Sequence, residues 1–234
     1  MIEERQPPFC QTDVTSSTVK LKVLNLYAGI GGNRKLWEDV EVTAVEYNEA
    51  IATTYQKFHP NDKVVVGDAH QYLIDHYEEF DFIWASPPCP THSKISINFA
   101  NAEGERRRKP KYPDMKLYQE IIFLDAFFKG KWVVENVTPY YEPLIPAKKV
   151  GRHLFWANFN IGSVAHKMSD KILRGEQSEK YAIKGFDLTN EKGFRKDQVI
   201  NNCVLPETGL YILDCAREIM RVKNPNQVSL FEGM

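Results

Sequence analysis

A cysteine held between prolines and a glutamate further along the chain are the residues whose types could carry a reaction. Cys89 lies among three prolines in residues 87–90, directly after the apolar run 82–85, which predicts a buried strand. Glu135 ends a second apolar run, 131–135. The ends of strands are where α/β folds place their chemistry. A thiolate there can act as a nucleophile and a carboxylic acid can supply a proton, although each residue alone also fits a structural role.

A glycine-rich turn predicts a place where a ligand lies close to the backbone. Residues 27–32 read Tyr-Ala-Gly-Ile-Gly-Gly and follow the predicted strand 21–26, and we expect a helix after them. Glycine removes the side chain that would keep a ligand away, and the N–H groups that begin a helix bind polar atoms. A plain tight turn has the same composition, so the turn alone decides little.

Two carboxylates make a nucleoside cofactor the better interpretation of that turn. Glu46 ends the predicted strand 40–46, where a carboxylate can accept from both hydroxyls of a ribose. Asp68 follows the short predicted strand 64–66, where it can accept from an adenine amino group. Both could instead cap the helices that follow. The nucleoside is NAD or S-adenosylmethionine, and the turn lacks the full GxGxxG spacing that is typical of NAD sites.

The distribution of charge is more informative than the net charge of −1 over the 234 residues. Residues 147–196 carry 11 Lys and Arg against 5 Asp and Glu, and the loop 94–111 carries six against two. A surface that binds phosphates requires such a concentration of positive charge. A solvated loop and a basic surface lobe would show the same pattern.

The cysteines and the hydropathy exclude several classes of protein. Four widely spaced cysteines without a CxxC pair argue against a zinc site and a disulfide framework and favour a reducing compartment. No apolar stretch is long enough to span a membrane, and the polar N-terminus does not resemble a signal peptide. We therefore expect a cytoplasmic protein that uses neither a membrane nor a metal.

Strands that alternate with helices over residues 21–135 predict an α/β fold, with a parallel sheet covered on both faces. A further strand is predicted at 153–159. Few apolar clusters follow in 160–196, which indicates a small variable lobe, and a helix is predicted over 206–220. The predicted plan is a flexible leader at 1–20, a catalytic domain at 21–160, a short target-recognition region at 161–196, a segment returning to the catalytic domain at 197–223, and a tail at 224–234.

Together these residues resemble the DNA (cytosine-5) methyltransferase family. The family's Phe-x-Gly-x-Gly turn corresponds to residues 27–31, its Pro-Cys nucleophile to 88–89, and its Glu-Asn-Val motif is present unaltered at 135–137. Its late Gly-Asn-Ala-Val-Pro motif is recognisable in 201–206. The resemblance runs from about residue 23 to 213, with a poorly matched stretch at 160–196. It implies a Rossmann-like, S-adenosylmethionine-dependent fold with a small target-recognition lobe.

The resemblance also implies roles for individual residues. Cys89 would add to C6 of a cytosine flipped out of double-stranded DNA, and Glu135 would stabilise the activated base. Arg152 is the one arginine carried over from the family's Gln-x-Arg-x-Arg motif. The residues implied to bind S-adenosylmethionine are Tyr27, Gly29, Ile30, Gly31, Gly32, Glu46, Tyr47, Asp68, Ala69, Pro87 and Asn202. Phosphate contacts are expected from Arg106, Arg107, Arg108 and Lys109.

Two alternatives remain open at this stage. An RNA cytosine methyltransferase would use the same chemistry, and a non-catalytic DNA-binding protein could keep the fold. Cys89 and Glu135 together favour an enzyme, because a binding protein has no need of both. We expect a monomer, and the short target-recognition region predicts a recognition site of about two to four base pairs.

The C-terminal tail contains a second resemblance. Residues 227–231, Gln-Val-Ser-Leu-Phe, are similar to the peptide by which bacterial proteins bind the DNA sliding clamp. Leu230 and Phe231 would fill an apolar pocket of the clamp, and Gln227 would form a hydrogen bond at its edge. The same side chains could instead pack on this protein's own core, and so short a match also arises by chance.

Overall fold

The computed structural model describes residues 20–94, 111–162 and 176–218. Within these residues a sheet of seven strands is flanked by helices. The strands are β1 (Leu21–Leu26), β2 (Val40–Glu46), β3 (Lys63–Val66), β4 (Phe82–Ala85), β5 (Lys131–Val137), β6 (Lys148–Val150) and β7 (His153–Ala157). The helices are α1 (Glu49–Phe58), α2 (Ala69–His76), α3 (Lys116–Phe127), α4 (Gln177–Lys184), α5 (Lys196–Asn202) and α6 (Pro206–Ala216).

The strands form one mixed sheet in the order β3-β2-β1-β4-β5-β7-β6. Strands β1 to β5 pair in parallel, whereas β7 is antiparallel to both β5 and β6. The prediction of an α/β fold is therefore confirmed, and the parallel arrangement holds for the first five strands. The strand predicted at 153–159 ends earlier, at Ala157, and β6 was not predicted.

The sheet is buried on both faces. Leu73 of α2 and Leu124 of α3 pack against one face. Ile212 of α6 and Trp37 pack against the other, where Trp37 lies 5.8 Å from Trp84 between ring centroids. Strands buried on both faces have continuous apolar sequences, and this is why β1 and β4 were recognisable.

The helix expected after the glycine turn is absent from the described structure, so that prediction was wrong. Residues 27–36 form successive turns instead. Tyr27, Gly29 and Gly31 have φ angles of 55°, 55° and 79°, in the left-handed region, so the backbone up to Gly31 cannot be α-helical, and residues 32–36 continue as turns. The turns are held by packing, because a Cβ on Gly209 of α6 would lie only 2.1 Å from the carbonyl oxygen of Asn33.

The segment 176–196 contains an apolar cluster that the sequence interpretation missed. Phe186 and Leu188 are fully buried and pack with Ile30 of the glycine turn and with Ile200 of α5. The ammonium group of Lys35 also lies 4.1 Å from the centroid of the Phe186 ring. This one cluster does not contradict the expectation of few apolar clusters in 160–196, and its buried side chains support the loop that follows β1.

Helix α6 ends at Ala216 rather than at residue 220. Glu218 has a φ angle of 59°, which stops the helix. The Arg217 guanidinium donates to the carbonyl oxygens of Glu38 and Asp39, each at 3.0 Å. In the three described stretches, no helix combines the length and the apolar character needed to cross a membrane.

Candidate active site

Two adjoining cavities lie at the carboxyl ends of the parallel strands. The larger has a volume of about 430 Å³ and is lined by residues of the glycine turn, by Cys89 and by Glu135. The second, of about 340 Å³, is lined by Asp68 and the ends of the loops around it. Both cavities are bordered by the same four residues, namely Tyr27, Glu46, Pro87 and Pro88. The predicted nucleophile and the predicted cofactor residues therefore share one continuous cleft.

The loop that carries Cys89 is fixed by hydrogen bonds at several points. The side-chain Nδ2 atom of Asn136 donates to the carbonyl oxygen of Pro87 at 3.0 Å. The backbone carbonyl of Cys89 accepts from the N–H groups of His92 and Ser93, each at 3.0 Å. The His92 Nδ1 atom lies 2.6 Å from the Tyr141 hydroxyl. These contacts hold the thiol in one place, which supports the interpretation of the proline-flanked cysteine as a positioned group.

Glu135 is a buried acid at the end of β5, and its side chain lines the same cavity as Cys89. Burial raises the pKa of its carboxyl group to about 7, although the Ser86 hydroxyl and the positive charges of Arg152 and Lys184 act in the opposite direction. A carboxyl group with this pKa retains a proton over part of the neutral range. Glu135 is therefore suited to donate a hydrogen bond to a ring nitrogen.

The Cys89 thiol is half-buried and faces Glu135. Burial and, to a smaller extent, the Glu135 charge raise the pKa of Cys89 above its ordinary value, whereas the charge of Arg152 lowers it. The Arg152 guanidinium lines the cavity and donates to the carbonyl oxygen of Asn201. Arg152 is thus the cation that can favour a thiolate at Cys89.

At the cofactor end, the carboxylate of Glu46 organises the glycine turn. One oxygen accepts from the Gly29 N–H at 3.0 Å, and the other accepts from the Asn48 N–H at 2.9 Å. Asn48, not Glu46, is the N-cap of α1, so Glu46 is not needed as a helix cap. Each carboxylate oxygen has a further lone pair, which leaves Glu46 able to accept from a ligand hydroxyl.

Asp68 caps a helix, and it also lines a cavity. Its side chain caps α2 by accepting from the Gln71 N–H at 3.0 Å, and this hydrogen bond lowers the pKa of Asp68. It also lines the second cavity, together with Ala69 and Tyr47. Tyr47 is 80% exposed, so the face of its ring is free to pack against a flat group such as an adenine.

The glycines of the turn have different environments, and these fit a ligand on one side. A Cβ on Gly29, which lines the cavity, would meet no atom within 4 Å. A Cβ on Gly31 would lie 2.4 Å from His59, and one on Gly32 would lie 2.0 Å from Cys203. The turn is thus tightly packed on the side of His59 and Cys203, and it is open at Gly29, where it lines the cavity. Ile30, Gly32 and Asn202 also line the larger cavity, whereas Gly31 lines neither cavity.

A buried acid beside the cofactor end was missed by the sequence interpretation. The Tyr27 hydroxyl donates to Glu120 of α3, and His70 Nδ1 lies 3.4 Å from the same carboxyl oxygen. Glu120 is fully buried, and burial raises its pKa to about 7. One signal could have pointed to this contact: a tyrosine at residue 27, where the family has phenylalanine.

Two further residues of the site come from the C-terminal part of the chain. Lys184 of α4 is buried, and its ammonium group donates to the carbonyl oxygens of Ile200 and Cys203. It therefore fixes the segment that contains Asn202. His153 of β7 is also buried, and its Nε2 atom lies 3.7 Å from Glu135 Oε1. Sequence spacing gave no signal for either contact, because both depend on how distant segments pack.

Several predicted residues lie outside the described part of the chain. These are the expected phosphate contacts Arg106, Arg107, Arg108 and Lys109 and the clamp-binding residues Gln227, Leu230 and Phe231. Among the described residues, no group of three or more His, Cys, Asp and Glu side chains is arranged to hold a metal ion.

Comparison with solved structures gives partial similarities. A hypothetical protein of Thermus thermophilus is 17% identical over 59% of this chain and 74% of its own, with a TM-score of 0.40. A SAM-dependent methyltransferase of Agrobacterium tumefaciens is 15% identical over 52% and 40%, with a TM-score of 0.36. A DNMT2 variant of Spodoptera frugiperda is 24% identical over 50% and 36%, with a TM-score of 0.35. The chain thus aligns with less than half of the length of these two methyltransferases.

The match to a protein family is more direct. No curated protein is significantly similar to the chain. Residues 21–138, half of the chain, match the model of the C-5 cytosine-specific DNA methylases. The matched part includes the glycine turn, Glu46, Cys89 and Glu135, the residues that line the cleft. With a Rossmann-like sheet and S-adenosylmethionine as its cofactor, the chain belongs to the C-5 cytosine-specific DNA methylase family.

Proposed function

We propose that this protein methylates C5 of cytosine in DNA through a covalent intermediate on Cys89. The observation that carries the proposal is that Cys89 and Glu135 line the same cavity as Gly29 and Glu46. S-adenosylmethionine, when bound, supplies a methyl group on a positively charged sulfur atom. Gly29, Glu46 and Asp68 are the residues suited to hold it, because they offer an open backbone surface and two carboxylates around the cleft.

The reaction makes a different demand on each side chain. The Cys89 sulfur adds to C6, and Glu135 donates a hydrogen bond to N3, so that negative charge does not accumulate on the ring. The electron pair displaced from the C5–C6 double bond makes C5 nucleophilic. After C5 is methylated, a water molecule accepts the C5 proton. The electron pair of that C–H bond restores the C5–C6 double bond, and the bond between C6 and sulfur breaks, which returns Cys89 as a thiolate.

In the free enzyme between the two pKa values, the proton is on the Cys89 sulfur and not on the Glu135 carboxyl group, which is the reverse of what the reaction needs. The pKa of Glu135 is about 7, and that of Cys89 is raised above its ordinary value. Between these two values the free enzyme is mainly thiol and carboxylate, whereas the reaction needs thiolate and carboxylic acid. The productive form is therefore a minor species with the same number of protons. Arg152 favours it by stabilising the thiolate.

A distinct pH profile follows from this arrangement. Below about pH 7 Glu135 is protonated, and the fraction of thiolate rises tenfold with each pH unit. Above that value the gain in thiolate is cancelled by loss of the Glu135 proton, so kcat/KM is expected to be level. It falls again only above the pKa of Cys89. Measurement of kcat/KM from pH 5.5 to 10 tests this, and a maximum confined to a narrow range near pH 7 would contradict it.

The target base has to leave the double helix, because its C6 and C5 atoms cannot be attacked within the base stack. Glu135 lies at the buried end of the cavity, so a cytosine must enter it to reach both Glu135 and Cys89. The arginines at 106–108 remain our proposal for phosphate contacts. Their replacement by alanine is expected to weaken binding equally for all sequences and to reduce its salt dependence.

The deciding experiment measures transfer of a radiolabelled methyl group to matched DNA and RNA duplexes. We expect transfer to DNA, and a stable protein–DNA adduct when the target cytosine carries fluorine at C5, because fluorine cannot leave as a proton. Transfer to RNA alone would identify an RNA enzyme. Binding without transfer or adduct formation would identify a non-catalytic DNA-binding protein.

Binding of residues 227–231 to a bacterial sliding clamp remains a separate proposal. A calorimetric titration would compare the full chain with a chain that ends at Asn226. Binding by the full chain alone supports it, whereas equal binding by both, or none by either, contradicts it. Methyl transfer is expected from both proteins.

A further inference from the structure

A histidine that the sequence interpretation did not select lies beside the catalytic acid. His153 is on β7, directly after Arg152, and its side chain lines the cavity that contains Cys89 and Glu135. In the antiparallel pairing, Val137 is opposite His153 and Glu135 is opposite Phe155. Residues two apart on a strand point to the same face, so His153 and Glu135 are diagonal neighbours.

The distance between the two side chains indicates how they influence each other. His153 Nε2 lies 3.7 Å from Glu135 Oε1, which is too long for a hydrogen bond. Both side chains are buried, at 4% and 7% exposure. At this distance in a buried site, a charge on the ring would act strongly on the carboxyl group. What matters is therefore whether the ring is charged.

The surroundings of His153 keep its ring neutral. Burial and the positive charges of Arg152 and Lys184 together lower the pKa of His153 to about 3. Other groups close to Glu135 are Ser86, which interacts through a hydrogen bond, and Cys89, which interacts through charge. Arg152 and Lys184 already favour the ionised form of Glu135. A third cation beside the carboxyl group would remove the proton that the reaction requires.

We propose that His153 is a positioning residue that places a neutral polar ring beside Glu135, so that the protonated form of Glu135 is not disfavoured further and remains available to donate its proton to the target base. The residue fills the space next to the acid without adding a charge. This inference rests on the proposed function, because it concerns the acid of the methylation reaction.

The test compares a charged and a neutral replacement. His153→Arg places a cation next to Glu135, because a guanidinium stays charged where burial and neighbouring cations would neutralise an ammonium group. We expect it to lower the pKa of Glu135 by about one unit. At pH 8, kcat/KM then falls about tenfold, because the protonated fraction of Glu135 falls by that factor. At pH 5.5, where Glu135 is mainly protonated in both proteins, the arginine variant and the wild type are expected to agree within about twofold. His153→Gln is expected to keep the wild-type profile.

Two results would overturn the proposal. A loss of activity by the same factor at every pH in the arginine variant would indicate a structural role only. An equal loss at pH 8 in the glutamine variant would show that neutrality is not the property that matters. Calorimetric binding of S-adenosylmethionine to each variant verifies that the cofactor site is intact.

A spectroscopic measurement on the protein itself does not depend on catalysis. Nuclear magnetic resonance of carbon-13-labelled Glu135 is expected to show a titration midpoint near pH 7 in the wild type and the glutamine variant, and about one unit lower in the arginine variant. Nitrogen-15 shifts of His153 are expected to show a neutral ring at pH 6, and a charged ring there would overturn the proposal. If the wild type forms no adduct with fluorinated DNA, the proposed function fails, while these titrations still test the effect of His153 on Glu135.

Discussion

The parallel half of the sheet and the C-terminal part of the chain contribute to the cleft in different ways. The parallel strands β1 to β5 present Glu46, Cys89 and Glu135 at their carboxyl ends, where topology alone brings them together. The C-terminal part, from β6 to α6, supplies Arg152, His153 and the segment around Asn202 to the lining of the same cavity. We infer that the first region provides the reacting groups and that the second sets their surroundings.

The two regions also differ in how their side chains are held. In the parallel half, backbone and short side-chain hydrogen bonds fix the site, as between Asn136 and Pro87. In the C-terminal part, buried cations take this role, because Arg152 and Lys184 donate to the carbonyl oxygens of 200–203 at the end of α5. Substitutions in the first region should therefore alter chemistry, and those in the second should first alter stability.

Loss of the nucleophile is the largest effect that we expect. Cys89→Ala should lower methyl transfer by at least about a thousandfold, because no other group replaces the thiol. Cofactor affinity, measured by calorimetry, should remain close to that of the wild type. The matched control is Cys215→Ala on α6, away from the cleft, which should retain activity. Residual transfer by the Cys89 variant above one hundredth of the wild type would contradict the assigned chemistry.

Removal of the Glu135 charge should change methyl transfer and the reactivity of Cys89 in opposite directions. Glu135→Gln should reduce methyl transfer by about a hundredfold or more, the usual contribution of a general acid. The Glu135 charge raises the pKa of Cys89, so the same substitution should increase the rate at which iodoacetamide alkylates Cys89 at pH 8 by about threefold. Mass spectrometry of the labelled peptide measures this rate, with Glu142→Gln in an exposed loop as the control. A slower alkylation would show that the charge of Glu135 does not act on the thiol.

The cofactor end should respond more moderately. Glu46→Ala leaves the Gly29 and Asn48 N–H groups without their acceptor and removes the carboxylate expected to bind the ribose. Affinity for S-adenosylmethionine should fall by about 1–3 kcal/mol. Glu41→Ala, an exposed residue of the same strand, is the control. Unchanged affinity in the Glu46 variant would assign this carboxylate to the turn alone.

The smallest effect that we expect is a loss of stability, from a substitution in the C-terminal part of the chain. Lys184→Met leaves the carbonyl oxygens of Ile200 and Cys203 without their donor, at a cost of about 1–2 kcal/mol in the free energy of unfolding. Urea denaturation measures this value, and Lys192→Met at an exposed site is the control. If the Lys184 variant is as stable as the wild type but fails in catalysis, the division between reacting groups and supporting groups is wrong.

The sequence was sufficient where local pattern and position along the chain decide the structure. Strands β1, β2 and β4 begin and end at the predicted residues. Each is rich in apolar residues, and β4 is a continuous apolar run, as a strand buried on both faces requires. The cleft residues then follow from parallel topology, since the carboxyl ends of adjacent strands meet at one edge. For the same reason, Cys89 and Glu135 could be predicted from the sequence alone.

The sequence was insufficient where packing between distant segments decides. The helix predicted after the glycine turn is replaced by turns that rest on α6, more than 170 residues further along the chain. The contact of His153 with Glu135 depends on the antiparallel pairing of β7 with β5, and the role of Lys184 depends on where α4 packs. A single histidine or lysine belongs to no sequence motif whose spacing would predict such a contact.

Within the described residues, β3 and β6 are the strands at the two ends of the sheet, and this has a consequence for the behaviour of the protein in concentrated solution. An exposed edge offers unpaired N–H and carbonyl groups to any other strand, and it is a starting point for aggregation. Strand β6 at one edge begins with the exposed pair Lys148 and Lys149, and β3 at the other begins with Lys63. Like charges repel each other when two such edges approach. The lysines on these two strands therefore oppose edge-to-edge pairing between molecules.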